Sequence, residues 1–243
     1  MAKYGLIGKN IDYSFSRGYF TEKFKLENLP FTYENFDIPD IRHVSDILNI
    51  KDLKGLNVTI PYKERILPFL DDIDPIAQEI GAVNTIQISS EGKTKGFNTD
   101  YTGFLTALMP FLPLKTPSAL ILGTGGASKA VKYGLKTIGF QTTMVSRNKS
   151  SCHLSYLDLT QENIQDYSLI VNCTPLGTYP KVSDCPPIPY DGIGDNHLLF
   201  DLIYNPEETE FLKKGRKKGA RITNGLAMLI AQAEKAWEIW QNN

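Results

Sequence analysis

The chain has 243 residues, 42% hydrophobic and 22% charged, a composition that fits two modest globular domains or one large one and excludes disorder. Its 26 Lys plus Arg against 27 Asp plus Glu leave a formal net charge of −1, so no electrostatic footprint for nucleic acid or an anionic membrane is present. The start "MAKYGLIGKN" lacks the apolar core of a signal peptide, no apolar run reaches a membrane span, and Cys152, Cys173 and Cys185 show no metal-ligand spacing; together these favour a reducing cytoplasm. His43, His153 and His197 are isolated, so zinc chemistry and a Cys nucleophile are set aside.

Strand and helix signals alternate nearly throughout, which implies an α/β protein with parallel sheets covered by helices. "YGLIG" (4–8) reads as a strand, 16–29 as a helix with Phe20 and Phe24 one turn apart, 31–38 as a strand and 39–50 as a helix. Next comes "GLNVTIPYKE" (55–64), a core-like strand over 56–60 that carries Asn57 and Thr59 and runs into Pro61 and Lys63. A short helix is expected over 61–70, with Pro61 in its tolerant first turn. The segments 82–89 and 93–99 flank Glu91-Gly92 as a hairpin.

After residue 100 the pattern restarts. A helix over 98–112 begins with a capping signal and leads through a proline-containing loop to a strand at 118–123. Further strands are read at 141–148, 167–175 and 197–206. The basic run "KKGRKKGAR" (213–221) falls at a helix C-terminus, where cations complement the dipole. The last helix, 225–241, has Leu226, Leu229, Ile230, Ala233, Trp237 and Trp240 on one stripe. The domain change is placed near residue 100.

"LILGTGGASKAVKYGLKTIGF" (120–140) runs strand, glycine-rich turn, helix, with Gly123, Gly125 and Gly126 in the bend. Glycines there allow a tight turn and let the backbone approach a pyrophosphate at the helix N-terminus. A βα turn needing positive φ is the purely structural alternative; the flanking strand and helix favour nucleotide binding. The next strand ends Ser146-Arg147-Asn148, without the carboxylate that an NAD site uses on the ribose 2′-hydroxyl. An arginine there can pair with the 2′-phosphate of NADP.

Taken singly, Lys63, Asn84 and Asp100 read as a solvated lysine, a turn residue and a helix cap, and Ser14 and Ser16 as capping hydroxyls. Their shared place at element ends of the first half shifts the reading. Beside a nucleotide domain, a cleft is the default location for a small polar substrate.

In order along nearly the whole chain, "GLIGKNIDYSFS" (5–16), "GLNVTIPYKE" (55–64), "GAVNTI" (81–86), "GFNTDYTGF" (96–104), "GTGGASKAV" (123–131), "FDLIYNPEET" (200–209) and "NGLAMLIAQA" (224–233) resemble shikimate dehydrogenases. The resemblance implies a three-layer α/β/α substrate domain over 1–100 plus 226–243, and a Rossmann domain over 101–225, with the last helix packing on the first domain. It also implies NADPH-dependent reversible reduction of 3-dehydroshikimate to shikimate, a small-molecule substrate, and no nucleic-acid or membrane partner. The sequence leaves the oligomeric state open, a homodimer included.

By the same resemblance Lys63 and Asp100 match the catalytic pair, with Asp100 also touching substrate. Ser14 and Ser16 would hold the substrate carboxylate, while Thr59, Asn84 and Gln232 would bind ring hydroxyls with Tyr204 nearby. Asn57 would support Thr59. Cofactor contacts are expected from Gly123, Thr124, Gly125, Gly126, Ala127, Ser128, Ser146, Arg147, Asn148, Thr174, Leu202 and Gly225. Pro175 and Gly177 fit a loop beside the nicotinamide, or a plain turn.

Four features depart from the family pattern. Tyr13 stands where a histidine is usual, and Arg17 where proline is common. Ser146 replaces a frequent asparagine, and the 148–166 segment is short. Three rival readings stay open: an NAD-preferring quinate/shikimate dehydrogenase, a methylenetetrahydrofolate dehydrogenase, and an inactive NADP-binding relative. The paired serines, with Thr59, Asn84 and Gln232, argue against the pterin site of the second. The presence of Lys63 and Asp100 argues against the third.

Overall fold

A computed structural model describes residues 1–12, 14–147 and 154–242. The chain forms two compact units, Met1–Thr99 with Gln232–Asn243, and Asp100–Ala231. Unit 1 contains β1 (Lys3–Gly8), α1 (Phe15–Leu26), β2 (Thr32–Asp37), α2 (Val44–Leu48), β3 (Leu53–Val58), β4 (Asp72–Ile73), α3 (Pro75–Ile80), β5 (Thr85–Ile88) and β6 (Thr94–Phe97). Unit 2 contains α4 (Asp100–Leu108), β7 (Ser118–Leu122), α5 (Gly126–Thr137), β8 (Gln141–Ser146), β9 (Leu154–Ser155), β10 (Leu169–Asn172), β11 (Leu198–Asp201), α6 (Glu210–Lys217) and β12 (Arg221–Thr223). The last helix, α7 (Leu226–Gln241), contributes its residues up to Ala231 to unit 2 and the rest to unit 1.

The sheet of unit 1 has the order β2-β1-β3-β5-β6-β4. Its strands run parallel except β5, which is antiparallel to both β3 and β6. The hairpin β5–β6 turns through Gly92, so this sheet is mixed rather than wholly parallel. Alternation along β1 separates two cores. Tyr4 and Leu6 pack with Phe20 and Phe24 of α1 and with Ala233, Ala236, Trp237 and Trp240 of α7. Ile7 packs on the other face with Leu56 and Val58 of β3, Val44 and Ile47 of α2, and Ala77 of α3. Helices therefore cover both faces, giving three layers.

Unit 2 has the order β12-β11-β10-β7-β8-β9, with every pairing parallel. Counted from β7, this is the 3-2-1-4-5-6 order of the doubly wound dinucleotide fold. Both faces of β7 are apolar, as a helix-covered parallel strand requires. Ala119 and Ile121 pack with α4 and α5, while Leu120 and Leu122 pack with Phe211 and Leu212 of α6.

Several elements differ from the sequence reading. No helix forms over 61–70; turns lead to a single 3-10 turn at Leu67–Phe69. Pro68 is the reason, because inside that helix it would lack the N–H owed to Glu64 and would clash with the preceding turn. Tyr62 and Ile66 still bury completely, so the apolar pattern was a core signal without helical hydrogen bonding. The 39–50 segment splits into a 3-10 turn (Ile41–His43) and the short α2.

On α7, Leu226 and Ile230 remain 41% and 39% exposed, while Met228 is buried in the core of unit 2. The expected stripe assumed one packing partner along the helix. Its two halves bury against different cores, so the inward face rotates between them.

Trp240 anchors the unit 1 core: its ring lies 4.9 Å from Tyr4 and 5.3 Å from Phe20, and its Nε1 donates to the Ile86 carbonyl at 2.9 Å. Trp240→Ala is expected to cost about 3–5 kcal/mol by leaving a cavity and an unpaired carbonyl. Urea unfolding followed by circular dichroism reads this out as a lowered midpoint.

Candidate active site

In unit 1 the polar residues gather where β3 and β5 begin and end. The β3–β5 register sets Asn57 opposite Thr85, so both side chains lie on one face of the sheet. The Asn57 amide donates to the Thr85 hydroxyl and to the Asn84 carbonyl, each at 3.3 Å, and its Oδ1 accepts from the Tyr33 phenol at 2.7 Å. Asn84 is 2% exposed; its Nδ2 donates to Thr99 Oγ1 at 3.0 Å and Gln232 Oε1 at 3.4 Å, and its Oδ1 accepts the Thr99 N–H at 2.6 Å. Ser16 is buried in the first turn of α1, and burial pushes the pKa of the Tyr33 phenol well above its ordinary value. A continuous chain of neutral polar groups thus runs from Tyr33 through Asn57 to Asn84, Thr99 and Gln232.

Backbone bonds bring Lys63, and Val58 beside Thr59, to the same place. Val58 N–H donates to the Asn84 carbonyl at 2.8 Å, and Val83 N–H to the Lys63 carbonyl at 2.8 Å. Thr59 lies just past β3, half-buried, with its carbonyl accepting Tyr62 N–H at 2.9 Å. Ser14 is the N-cap of α1 and accepts the Ser16 N–H at 3.2 Å, which leaves its hydroxyl hydrogen available for a ligand. Asp100 is buried, follows Thr99 in the chain and opens α4. Tyr204 lies in unit 2, half-buried in the loop after β11.

One expectation is corrected. Asn57 does not brace Thr59; its side-chain bonds go to Tyr33, Thr85 and the Asn84 carbonyl. It is a buried amide on the inner face, and its three side-chain bonds are made with the nearest polar groups across the sheet. Tyr33, Thr85 and Thr99 belong to this network and were not singled out from the sequence. Thr99 stood inside the quoted stretch "GFNTDYTGF", but nothing local distinguished it from a strand-end threonine.

In unit 2 the glycine bend sits at the switch point of the sheet, between β7 and β10. Gly123 has φ +108°, and a Cβ there would lie 3.3 Å from the Cys173 carbonyl and the Thr174 methyl. Only glycine fits that backbone at that spacing. Gly125 precedes α5 in an extended conformation with no side-chain cap, and Ser128 donates to its carbonyl at 2.6 Å. The uncapped first turn of a 12-residue helix beside such a bend suits a pyrophosphate.

Thr124 is exposed, and Gly126 and Ala127 are half-buried. Gly123 N–H donates to the Val145 carbonyl at 2.8 Å, so Ser146 and the exposed Arg147 adjoin the bend. Arg147 also lies near the Tyr156 phenol, which burial pushes up to about 12. Asn148 and Tyr13 lie outside the described residues.

The far wall of the switch point is a second polar cluster. The β10–β11 register sets Asn172 opposite Asp201, both fully buried. Asn172 Nδ2 donates to Asp201 Oδ1 at 3.0 Å, and Asn172 Oδ1 accepts Thr174 N–H at 3.0 Å and its hydroxyl at 2.7 Å. Asp201 further accepts Ile203 N–H at 3.0 Å and the Thr209 hydroxyl at 2.6 Å. Leu202 N–H donates to the Asn172 carbonyl at 3.0 Å, and Gly225 packs so closely on Leu202 that a Cβ would meet its carbonyl oxygen at 2.1 Å. Thr174, Leu202 and Gly225 therefore share one wall.

A parallel sheet in this order, with a glycine bend and an uncapped helix at its switch point, defines a dinucleotide-binding protein of the Rossmann class. The family profile of the shikimate dehydrogenase substrate binding domain matches residues 6–86. Shikimate dehydrogenase (NADP(+)) of Methanosphaera stadtmanae is 38% identical over 97% of this chain and 90% of its own. The Clostridium botulinum enzyme of the same name is 41% identical over 97% and 95%. The Thermus thermophilus shikimate 5-dehydrogenase structure in complex with NADP(H) and shikimate has a TM-score of 0.89 at 31% identity, covering 100% of this chain and 94% of that one. The chain belongs to the shikimate dehydrogenase family.

Burial dominates the Asp201 carboxyl and raises its pKa to about 6, against hydrogen bonds from Thr209, Ile203 N–H and Asn172 that lower it. An unfolded Asp titrates near pH ~3.9, so between about pH 4 and 6 the folded chain holds a proton that the unfolded chain has lost. The contribution of this group to stability is therefore present below pH ~4 and is lost as pH rises through about 6. Relative to Asp201→Asn, the wild type is expected to lose on the order of 1–3 kcal/mol between pH 4 and 7. Urea titrations of both proteins across that range give the difference directly.

Proposed function

We propose that this protein catalyses the reversible reduction of 3-dehydroshikimate to shikimate with NADPH. One observation carries the reading: Asn84, Thr99 and Gln232 form a buried, uncharged hydrogen-bonding cluster, with Asn84 bonded through its carbonyl to Val58 next to Thr59 and its neighbour Val83 bonded to the Lys63 carbonyl. Neutral donors and acceptors at a strand end suit a polyol, and a lysine beside them suits a developing alkoxide. The relatives, both named as NADP(+)-dependent shikimate dehydrogenases, support the substrate and cofactor. The near-zero net charge supports a small-molecule substrate over nucleic acid or an anionic membrane. An odd number of cysteines supports a cytoplasmic setting.

In this reading Ser14 and Ser16 donate their hydroxyls to the substrate carboxylate, and Thr59, Asn84 and Gln232 hold the ring hydroxyls, with Tyr204 assisting. The interlocked amides keep these groups in place before the substrate arrives, so little ordering is left to the binding step. Lys63 stabilises the negative charge that grows on the C3 oxygen and delivers its proton, and Asp100 orients lysine and substrate. The glycine bend Gly123–Gly126, Ala127, Ser128, Thr174, Leu202 and Gly225 would hold NADP(H), with Ser146, Arg147 and Asn148 at the adenosine end. When bound, NADPH supplies the hydride. Lacking an acidic residue after β8, the chain offers Arg147 to the 2′-phosphate and nothing comparable to a free ribose hydroxyl.

The test is a grid of shikimate or quinate with NADP+ or NAD+, followed by nicotinamide absorbance on the purified protein. Turnover concentrated in shikimate with NADP+ is expected. Quinate with NAD+ as the best pair would reassign the chain to the quinate/shikimate branch, and a blank grid with NADP+ still bound would make it an inactive relative. Lys63→Ala is expected to lower kcat by about 10²–10⁴-fold while KM for shikimate changes far less. Near-normal turnover in that variant would remove Lys63 from the chemistry.

A further inference from the structure

The cluster behind the switch point contains a carboxylate that the reaction does not use. Asp201 is fully buried and accepts three hydrogen bonds, and among the described residues none of its hydrogen-bond partners is a cationic side chain. Burying a carboxyl on neutral donors alone is costly, and replacement by an apolar residue of similar volume would spare that cost. The geometry shows what the carboxylate does for its neighbour.

Asn172 has an amide whose two ends could be exchanged by a half-turn of its last torsion. An acceptor-only carboxylate opposite it admits one orientation, with Nδ2 toward Asp201 and Oδ1 toward Thr174. In that orientation Oδ1 gathers both the Thr174 N–H and the Thr174 hydroxyl. Thr174 Oγ1 in turn accepts the Leu176 N–H at 3.3 Å, and Asn172 Nδ2 also donates to the Leu176 carbonyl at 3.4 Å, so the loop after β10 is wound onto both ends of the Asn172 amide. That loop faces the glycine bend, because the Thr174 methyl lies 3.3 Å from where a Gly123 Cβ would be. The opposite oxygen of Asp201 takes the Thr209 hydroxyl, and Thr209 caps α6. The carboxylate therefore joins the rigid end of β11 and the start of α6 to the wall of the switch point.

We propose that Asp201 is a positioning residue for the dinucleotide: by fixing the Asn172 amide it holds the Thr174 loop at the spacing from Gly123 that the cofactor requires. This rests on the NADP reading above and deepens it. Asp201 touches neither substrate nor cofactor in this role, so its loss acts on cofactor affinity through Asn172.

The experiment measures the NADP+ dissociation constant by calorimetry, KM for shikimate, and the urea midpoint, on full-length wild type, Asp201→Ala, Asn172→Ala, the double variant and Asp201→Asn. The two alanine variants are each expected to weaken NADP+ by about tenfold, with KM for shikimate within about twofold of wild type. The double variant should be no weaker than either single, as two links of one chain require. Asp201→Asn keeps an oxygen toward Asn172 and Ile203 and should recover most of the loss.

Folded alanine variants that bind NADP+ as wild type does would overturn the proposal, as would cofactor and substrate affinities that fall together with the urea midpoint. If Asp201→Ala does not fold, Asn172→Ala alone decides between these outcomes. Wild-type protein that neither binds NADP+ nor turns over shikimate would bring down the functional reading and this proposal with it; an active wild type with unaffected variants brings down the proposal alone.

Discussion

Strand register is the constraint on which both units depend. In unit 1 it sets Asn57 against Thr85, and in unit 2 Asn172 against Asp201. Each pair is polar, buried and within hydrogen-bonding reach across adjacent strands. A slip of one residue would turn one partner to the opposite face and leave a buried amide unpaired, at a cost of about 1–3 kcal/mol per group. The apolar residues on the same strands would lose their cores at the same step. Register, core and polar network therefore reinforce one another.

The two networks differ in chemistry in a way that suits their tasks. Around Asn84 the groups are neutral amides and hydroxyls, each able to donate and accept, which fits a polyol with several hydroxyls of its own. Behind Gly123 the cluster includes a carboxylate, which accepts only and so dictates the orientation of its neighbours. Under the proposed function the first network would meet the substrate with adaptable partners. The second holds a loop in a single arrangement. The Cys173 thiol beside it is pushed well up by burial.

Where the sequence reading failed, a longer-range effect decided. Tyr62 and Ile66 have helical spacing, but Pro68 downstream denies them a helix, and they bury from turns instead. Leu226 and Ile230 continue the stripe of Trp237 and Trp240, but the helix changes packing partner along its length and leaves them exposed. Asn57 was read as a brace for Thr59, its neighbour two residues on. Its bonds instead cross the sheet to residues 24 to 28 positions away in sequence.

The sequence by itself determined the local grammar. Gly123 through Gly126 between an apolar strand and an amphipathic helix, the alternation along 118–122, and the arginine without a carboxylate after the second strand are all short-range signals. Ordered motifs also marked Lys63, Asn84 and Asp100 as residues to watch, although nothing local separated each from a bland surface or turn residue. Only the tertiary structure decided how Tyr33, Asn57, Asn84, Thr99 and Gln232 join into one network, and that the Asn172 amide donates to Asp201. The physical reason is that a hydrogen-bond partner is chosen by proximity in space. For a buried amide that proximity is set by strand register and by a helix returning from the far end of the chain, and neither leaves a trace in the residues next to it.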